Sequence, residues 1–120
     1  MKDNNILLAN FIGMQKTNIG WYDAEEILLK VEQDNTFDIL KFNTDWNWLM
    51  QVVEKIETLE TKDGRTFTID MHRDSVLIFE YGMHTNEIVF TEGKGRLENL
   101  YNACVEFIEW WNKETKSNKN

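Results

Sequence analysis

Two histidines, His72 and His84, are the residues best suited to ligate a metal ion. They bracket a strand predicted over residues 75 to 82, so roughly 25 Å would separate their rings. His72 has Asp70 and Asp74 close by in the sequence, but a catalytic zinc site needs three protein ligands. The sequence therefore predicts no metal site and no cofactor.

The single cysteine, Cys104, is the only thiol nucleophile and excludes an intrachain disulfide. It falls in the middle of an apolar helical stripe, where we expect it to pack as a small hydrophobic residue with a raised pKa. No serine is paired with a histidine and a carboxylate at a recognisable spacing. Nothing singles out a glycosidase pair among the 21 acidic residues. The chain is therefore predicted not to be an enzyme.

A short glycine-containing segment, Gly93-Lys94-Gly95, precedes the last predicted helix. It is too short for a phosphate-binding loop and is more simply explained as a turn between a strand and a helix. Its amides, together with the side chains of Lys94 and Arg96, nevertheless form a candidate anion site at a helix start.

Five tryptophans provide the strongest candidates for binding. Trp46 and Trp111 lie on the apolar stripes of predicted helices, so we expect them in the core. Trp48 and Trp110 lie at the margins of the same stripes. There they either cap the core or anchor a partner protein, since tryptophan is enriched at interface hot spots.

Trp21 and Tyr22 fall in a segment, residues 15 to 24, that is predicted to be a loop or an irregular strand. There they are candidates to anchor a partner or to stack on a base. The candidate binding residues are therefore Trp21, Tyr22, Trp48, Trp110, Lys94 and Arg96.

The chain is acidic, with a formal net charge of −8 from 21 acidic and 13 basic residues. An acidic surface gains nothing from counterion release, so broad DNA binding is disfavoured. A basic partner, such as a nucleic-acid-binding protein, would suit this charge, although solubility alone also explains it. No apolar run approaches the length of a membrane span and no signal peptide is evident, so we expect a cytoplasmic protein.

The first half of the chain combines helical and strand-like patterns. A short helix is predicted over residues 4 to 12, and Gly13 suits the left-handed position after it. Residues 27 to 31 and 37 to 42 are predicted to form a β-hairpin. A helix over residues 24 to 32 is the alternative, because that segment is rich in helix-forming residues.

A central helix is predicted over residues 43 to 59, with Thr44 as its cap and Asp45 in its first turn. Three strands follow as a meander, and residues 76 to 81 are apolar on both faces, which is typical of a central strand covered on both sides. The last helix is predicted from about Arg96 to Asn112.

The order of the predicted elements is helix-β-β-helix-β-β-β-helix. It indicates an α+β fold resembling an α-β-α sandwich, with a mixed or antiparallel sheet of about five strands. By size the chain forms one domain, which we place at residues 1–113, with a flexible tail at 114–120.

Residues 42 to 57, FNTDWNWLMQVVEKIE, resemble a helix shared by small phage and prophage proteins of the Bacteroidota, Ser/Thr-x-Trp-x-Trp-Leu-Met-x-Val-Val-Glu-Lys-Ile-Glu. The segment NILLANFIG, residues 5 to 13, is similar to their opening Ile-Ala-Glu-Phe-Met-Gly. The segment LYNACVEFIEWWN, residues 100 to 112, is similar to their closing Val-Tyr-x-Ala-Val-Val-Glu-Phe-Ile-x-Trp-Tyr-Asn. Asn10 and Gln51 depart from the Glu and the frequent Pro of those proteins. A distant likeness to the phage α-β-α sandwich domain implies the same fold and supplies no catalytic residues.

In that genomic setting, the first hypothesis is a phage accessory protein that binds a host protein, as an anti-CRISPR type inhibitor of a nucleic-acid-guided nuclease. The alternative is a sponge that sequesters a defence signalling nucleotide at an oligomer interface through Trp21, Tyr22, Lys94 and Arg96. A hydrolase and a structural phage component are further hypotheses. Assembly of several copies is compatible with the sequence.

Overall fold

The structure, a computed structural model, has an α+β architecture and describes residues 2–17, 20–22, 28–31, 40–82 and 85–117. Its helices are α1 (Lys2–Phe11), α2 (Trp46–Thr58) and α3 (Arg96–Ser117). Its strands are β1 (Gln15–Thr17), β2 (Gly20–Tyr22), β3 (Leu28–Val31), β4 (Thr66–Met71), β5 (Ser75–Tyr81) and β6 (Thr85–Glu92). The predicted α+β class is confirmed.

The strands form two antiparallel sheets with the orders β1-β2-β3 and β4-β5-β6. The single sheet of about five strands that the sequence predicts is therefore not seen in the described part of the chain. Each sheet is a meander of neighbours in sequence, which short connections favour.

The first sheet differs from the predicted hairpin. A strand does occupy residues 28 to 31, so the alternative of a helix is wrong there, but this strand pairs with β2 and not with a following strand. Residues 40 to 42 are not a strand; residues 32 to 39, like 23 to 27, lie outside the described residues. Leu40 and Phe42 are nonetheless 2 % and 0 % exposed. Both side chains are therefore buried without strand pairing, and the ring of Phe42 packs edge-on against Trp48 of α2.

The core lies between the helices and one face of the second sheet, which we call the inner face. Helix α3 packs on β5 and β6, α2 packs on β4, and α1 packs on α3. The inner face contributes buried side chains from all three strands, namely Phe67, Ile69, Val76, Ile78, Glu80 and Val89. The helices contribute Leu8, Ala9, Leu49, Val52, Val53, Ile56, Leu100, Tyr101, Cys104, Phe107 and Ile108, among others.

A buried polar network ties α1 to α3 within this core. Asn5 is 5 % exposed, and its Nδ2 donates to the carbonyl of Leu40 at 3.0 Å and to Oδ1 of Asn43 at 3.1 Å. The hydroxyl of Tyr101 donates to Oδ1 of Asn5 at 2.9 Å. Burial raises the pKa of Tyr101 to about 12. The satisfied amide fixes the position of α1 against the segment that precedes α2.

Helix α2 is capped by Asp45 and not, as predicted, by Thr44. The Oδ1 atom of Asp45 accepts from the amides of Asn47 at 2.8 Å and Trp48 at 3.4 Å. Thr44 belongs to the preceding turn, where the amides of Thr44 and Asp45 both donate to the carbonyl of Lys41. The turn therefore delays the helix start by one residue.

The substitution Asp45→Ala is expected to lower the free energy of unfolding by about 1 kcal/mol, because two amides of the first turn lose their acceptor. Thermal or urea denaturation measures this loss. Thr44→Ala is the matched control, since Thr44 does not cap the helix. An equal loss of stability in both variants would show that the cap is assigned to the wrong residue.

Glycine supports the helix boundaries at two places. Gly13 follows α1 with a φ of 90°, as predicted, and Gly95 precedes α3 with a φ of 86°. Both angles are left-handed and favour glycine.

Helix α3 begins at Arg96 as predicted but continues to Ser117, past the predicted end at 112, and so includes residues 114 to 117 of the predicted tail. No glycine or proline interrupts that segment.

Candidate functional site

The second sheet has a face turned away from the helices, which we call the outer face. On β5 its residues alternate with the buried Val76, Ile78 and Glu80. The strand register places their neighbours on β4 and β6. The outer face comprises Thr66, Thr68, Asp70, Ser75, Leu77, Phe79, Tyr81, Thr85, Glu87, Phe90 and Glu92.

Four apolar side chains form the centre of the outer face. Leu77 and Phe79 are half-buried, whereas Tyr81 and Phe90 are 42 % and 45 % exposed. The rings of Phe79 and Tyr81 lie 6.4 Å apart, and Phe90 pairs directly with Leu77 across the strands. Contiguous apolar patches rimmed by polar residues are a known feature of interaction sites.

The prediction that β5 is covered on both faces is wrong for the described part of the chain. The helices cover the inner face alone, and no other described element packs extensively on this sheet. The apolar pattern of β5 was correctly recognised, but a sequence pattern shows only that both faces favour burial. It does not show whether the covering element belongs to the same chain.

The charges of the outer face are all negative. Asp70, Glu87 and Glu92 are exposed and lie on the same face as the apolar centre. None of the described residues that make up the outer face is a lysine, arginine or histidine. The electrostatic potential at this face is therefore negative, as expected for a surface that attracts positive groups.

Trp48 and Trp110, predicted at the margins of their helices, both lie at the edge of the core. Trp48 is half-buried and makes an edge-on contact with Phe42, with 5.2 Å between ring centroids. Trp110 is also half-buried and lies 5.8 Å from Phe67. Both rings therefore cap the core, and each keeps a fraction of its surface exposed.

Trp111 and Trp46 were predicted in the core. Trp111 is half-buried, with its ring 5.7 Å from Phe67. Trp46 is 41 % exposed, so that prediction is wrong. It lies in the first turn of α2, at the end of the sheet. The apolar residues later in the helix are buried, whereas Trp46 extends past the edge of the core.

A cavity of about 620 Å³ lies between the end of α3 and the turn before β4, lined in part by Trp110 and Trp111. Arg65 crosses this region and donates to Oε2 of Glu80 at 2.9 Å and to Oδ1 of Asp63 at 3.0 Å. Hydrogen bonds from Thr61 and Arg65 lower the pKa of Asp63. The positive charge of Arg65 is thus used within the protein, since it compensates the buried carboxylate of Glu80.

The predicted anion-binding residues Lys94 and Arg96 are exposed at the start of α3. The amide of Lys94 donates to Oδ1 of Asn99 at 3.1 Å, which fixes the turn. Arg96 lines two small cavities, one shared with Lys94 and the other with Trp46. The side chains of Trp21 and Tyr22 lie outside the described part of the structure, so their predicted grouping with these cations stays a prediction.

The groups considered for catalysis are not arranged for it among the residues described. Cys104 is fully buried, and burial raises the pKa of its thiol, as predicted. His72 is exposed at the turn between β4 and β5, and His84 lies outside the described residues. Within the described ranges, no group of three His, Cys, Asp or Glu side chains could hold a metal ion.

Cys104 is expected to be inert to thiol reagents in the folded protein, because the thiol is both buried and protonated. Addition of a chromogenic disulfide reagent at neutral pH should release no signal until a denaturant is added, and should then report one thiol per chain. Rapid labelling of the native protein would contradict the burial of this residue.

Sequence reasoning missed the two most exposed groups of apolar side chains. Tyr81 and Phe90 were assigned to strands but not to a surface, although the doubly apolar pattern of β5 was a usable signal. Trp46 is predicted in the core because helical periodicity shows on which face of the helix a residue lies. It does not show whether the sheet extends far enough to cover that residue. No pattern in the sequence marked Arg73, which lies beside Trp46.

None of the described helices is both long and apolar enough to cross a bilayer. In comparisons with known proteins, the chain matches no family model, no curated protein and no solved structure. The function must therefore be inferred from the geometry and charge of these surfaces, and from the phage resemblance as an expectation.

Proposed function

We propose that this protein acts by non-enzymatic binding and that its outer face docks onto a basic protein. One observation supports this most strongly: Leu77, Phe79, Tyr81 and Phe90 form an apolar surface whose described rim carries carboxylates and hydroxyl groups but no cation. An apolar centre with a polar rim is the usual anatomy of a protein interface. Because the charged residues of the rim are negative, the partner that fits is positively charged.

The energetics favour a protein partner over exposure to water. Apolar surface contributes about 25 cal/mol per Å² when it is removed from water, and aromatic side chains at an interface centre commonly dominate the affinity. Nearly half of the surface of Tyr81 and of Phe90 is exposed in the free protein and can be buried by a partner. The carboxylates accelerate association with a positive surface and disfavour neutral or acidic partners.

Pairing of two outer faces with each other is disfavoured by the same charges. A symmetric dimer through this face would bring Asp70, Glu87 and Glu92 of both copies into one interface without a compensating cation. Like charges across an interface cost several kcal/mol. The occupant that fits is a different, positively charged protein.

In the setting implied by the phage resemblance, the partner is a host nucleic-acid-guided nuclease, and the protein is an anti-CRISPR type inhibitor. Such nucleases hold their heteroduplex in a positively charged channel. An acidic protein with an apolar docking surface can occupy a basic site of that kind and exclude the nucleic acid. The support for this partner is the charge of the outer face, the net charge of −8 and the phage-like helices.

The test is an affinity capture from a lysate of a Bacteroidota bacterium, with a tagged wild-type protein and the double variant Asp70→Lys/Glu87→Lys. We expect the wild type to retain one basic, nucleic-acid-binding protein in stoichiometric amount, and the variant to lose it. Retention of the same proteins by both forms, or of no stoichiometric protein by the wild type, would refute the proposal.

A further inference from the structure

A second exposed surface lies at the end of the sheet where α2 and α3 begin. It is a cavity of about 320 Å³ lined by Trp46, Met71, His72, Arg73, Val76 and Arg96, and we call it the Trp46 cavity. No residue of the outer face lines it, because Met71 and Val76 belong to the inner face of the sheet by register. The two surfaces are thus separate.

The lining of this cavity includes two positive side chains, Arg73 and Arg96, and no carboxylate. Neither guanidinium forms an ion pair with a carboxylate in the described part of the chain, whereas Arg65 is held by Asp63 and Glu80. Unpaired arginines that share one cavity are available to bind an anion.

The carboxylates of Asp74 and Asp45 form no ion pair with these arginines in the described part of the chain. Asp74, which follows Arg73 directly, accepts from the amide of Gly95 at 3.2 Å and from Nδ2 of Asn99 at 3.3 Å. Asp45, which precedes Trp46, accepts from the first amides of α2. Neither of the two residues lines the cavity. Both carboxylates serve the ends of helices.

The indole of Trp46 supplies a flat apolar surface beside the two cations. It is 41 % exposed, and Met71 next to it is 47 % exposed. An accessible indole stacks on nucleobases, and arginine binds phosphate through paired hydrogen bonds. The cavity volume of about 320 Å³ lies at the lower end of the range of about 300 to 1,000 Å³ that is typical of small-molecule sites.

We propose that the Trp46 cavity binds a nucleotide, with the base against Trp46 and the phosphate at Arg73 and Arg96. The ligand is a small nucleotide and not a long nucleic acid, because the negative charge of the rest of the surface repels an extended phosphate backbone. This site is independent of the docking function proposed for the outer face. In this site the residue that stacks on the base is Trp46, and Arg73 joins Arg96, which the sequence already indicated as an anion-binding residue.

The test is a calorimetric titration of the full chain with AMP, ATP and a cyclic dinucleotide, alongside adenosine and pyrophosphate as partial ligands. We expect at least one nucleotide to bind more tightly than either partial ligand, because only a nucleotide engages the indole and the arginines together. The affinity should fall as the salt concentration rises.

Variants assign the binding to this cavity. Trp46→Ala is expected to weaken nucleotide binding about tenfold, and Arg73→Gln and Arg96→Gln about tenfold each. Lys113→Gln and Lys55→Gln, exposed charges on the distal parts of α3 and α2, are matched controls that should leave the affinity unchanged. All the residues substituted are exposed, and thermal denaturation verifies that each variant is folded.

The proposal is overturned if no nucleotide binds at millimolar concentration. It is equally overturned if nucleotides bind but the three cavity variants behave like the controls, or if pyrophosphate binds as tightly as every nucleotide. Since the assay contains no partner protein, failure here leaves the docking proposal standing, and the reverse holds as well.

Discussion

The double variant Tyr81→Ala/Phe90→Ala is expected to lose essentially all affinity for the captured partner while it remains folded. Each side chain is more than two-fifths exposed in the free protein, so its removal leaves no cavity in the core. Aromatic residues at the centre of an interface commonly cost about 2 kcal/mol or more when truncated, which is about 30-fold for each residue. Calorimetry or surface plasmon resonance with the purified partner measures the loss.

Met71→Ala provides the matched control for this experiment. Met71 is 47 % exposed and apolar, and it lies on the same sheet, but by register it belongs to the inner face. We expect its truncation to leave the partner's affinity unchanged. If Met71→Ala weakened binding as strongly as the double variant, exposed apolar surface in general, and not the outer face, would determine docking.

Phe67→Ala is expected to lower the free energy of unfolding by about 3 to 5 kcal/mol. Phe67 is 2 % exposed, and its ring lies 5.1 Å from that of Phe107, 5.8 Å from that of Trp110 and 5.7 Å from that of Trp111. These edge-on contacts join β4 to the second half of α3. Removal of the ring opens a cavity where the sheet and the helix meet, and urea denaturation measures the cost.

Phe90→Ala is the comparison for stability, since it removes the same ring from the outer face of the same sheet. Because Phe90 is 45 % exposed, we expect a loss of about 1 kcal/mol or less. The difference between the two variants tests the assignment of the faces. Similar losses would mean that the outer face is packed as tightly as the core, which would remove the basis of the docking proposal.

Periodicity in the sequence predicted the helices and the meander well, because each of those elements buries a continuous stripe of its own. Helix α3 starts at the predicted Arg96, and β5 lies at the centre of its sheet as expected. Local chemistry was harder to resolve at the start of α2, where Thr44 and Asp45 are both good caps. The turn that closes on Lys41 decides between them, and a sequence pattern does not show that turn.

Pairing between distant segments could not be predicted from local patterns. Residues 37 to 42 alternate like a strand, yet the described residues 40 to 42 form a loop in which Leu40 and Phe42 are buried, and β3 pairs with β2. The same limit applies to the candidate sites. The neighbours of Arg96 at the Trp46 cavity come from α2, from β4 and β5 and from the turn between these strands, so only the fold brings them together.

Hydroxyl-radical footprinting of the protein, free and bound to its captured partner, tests the central claim most directly. Tyr81 and Phe90 report on the outer face, while Trp46 and Met71 report on the other exposed apolar surface in the same experiment. The docking proposal predicts strong protection of Tyr81 and Phe90 in the complex and unchanged labelling of Trp46 and Met71. Equal labelling of Tyr81 and Phe90 in the free and bound protein would contradict it.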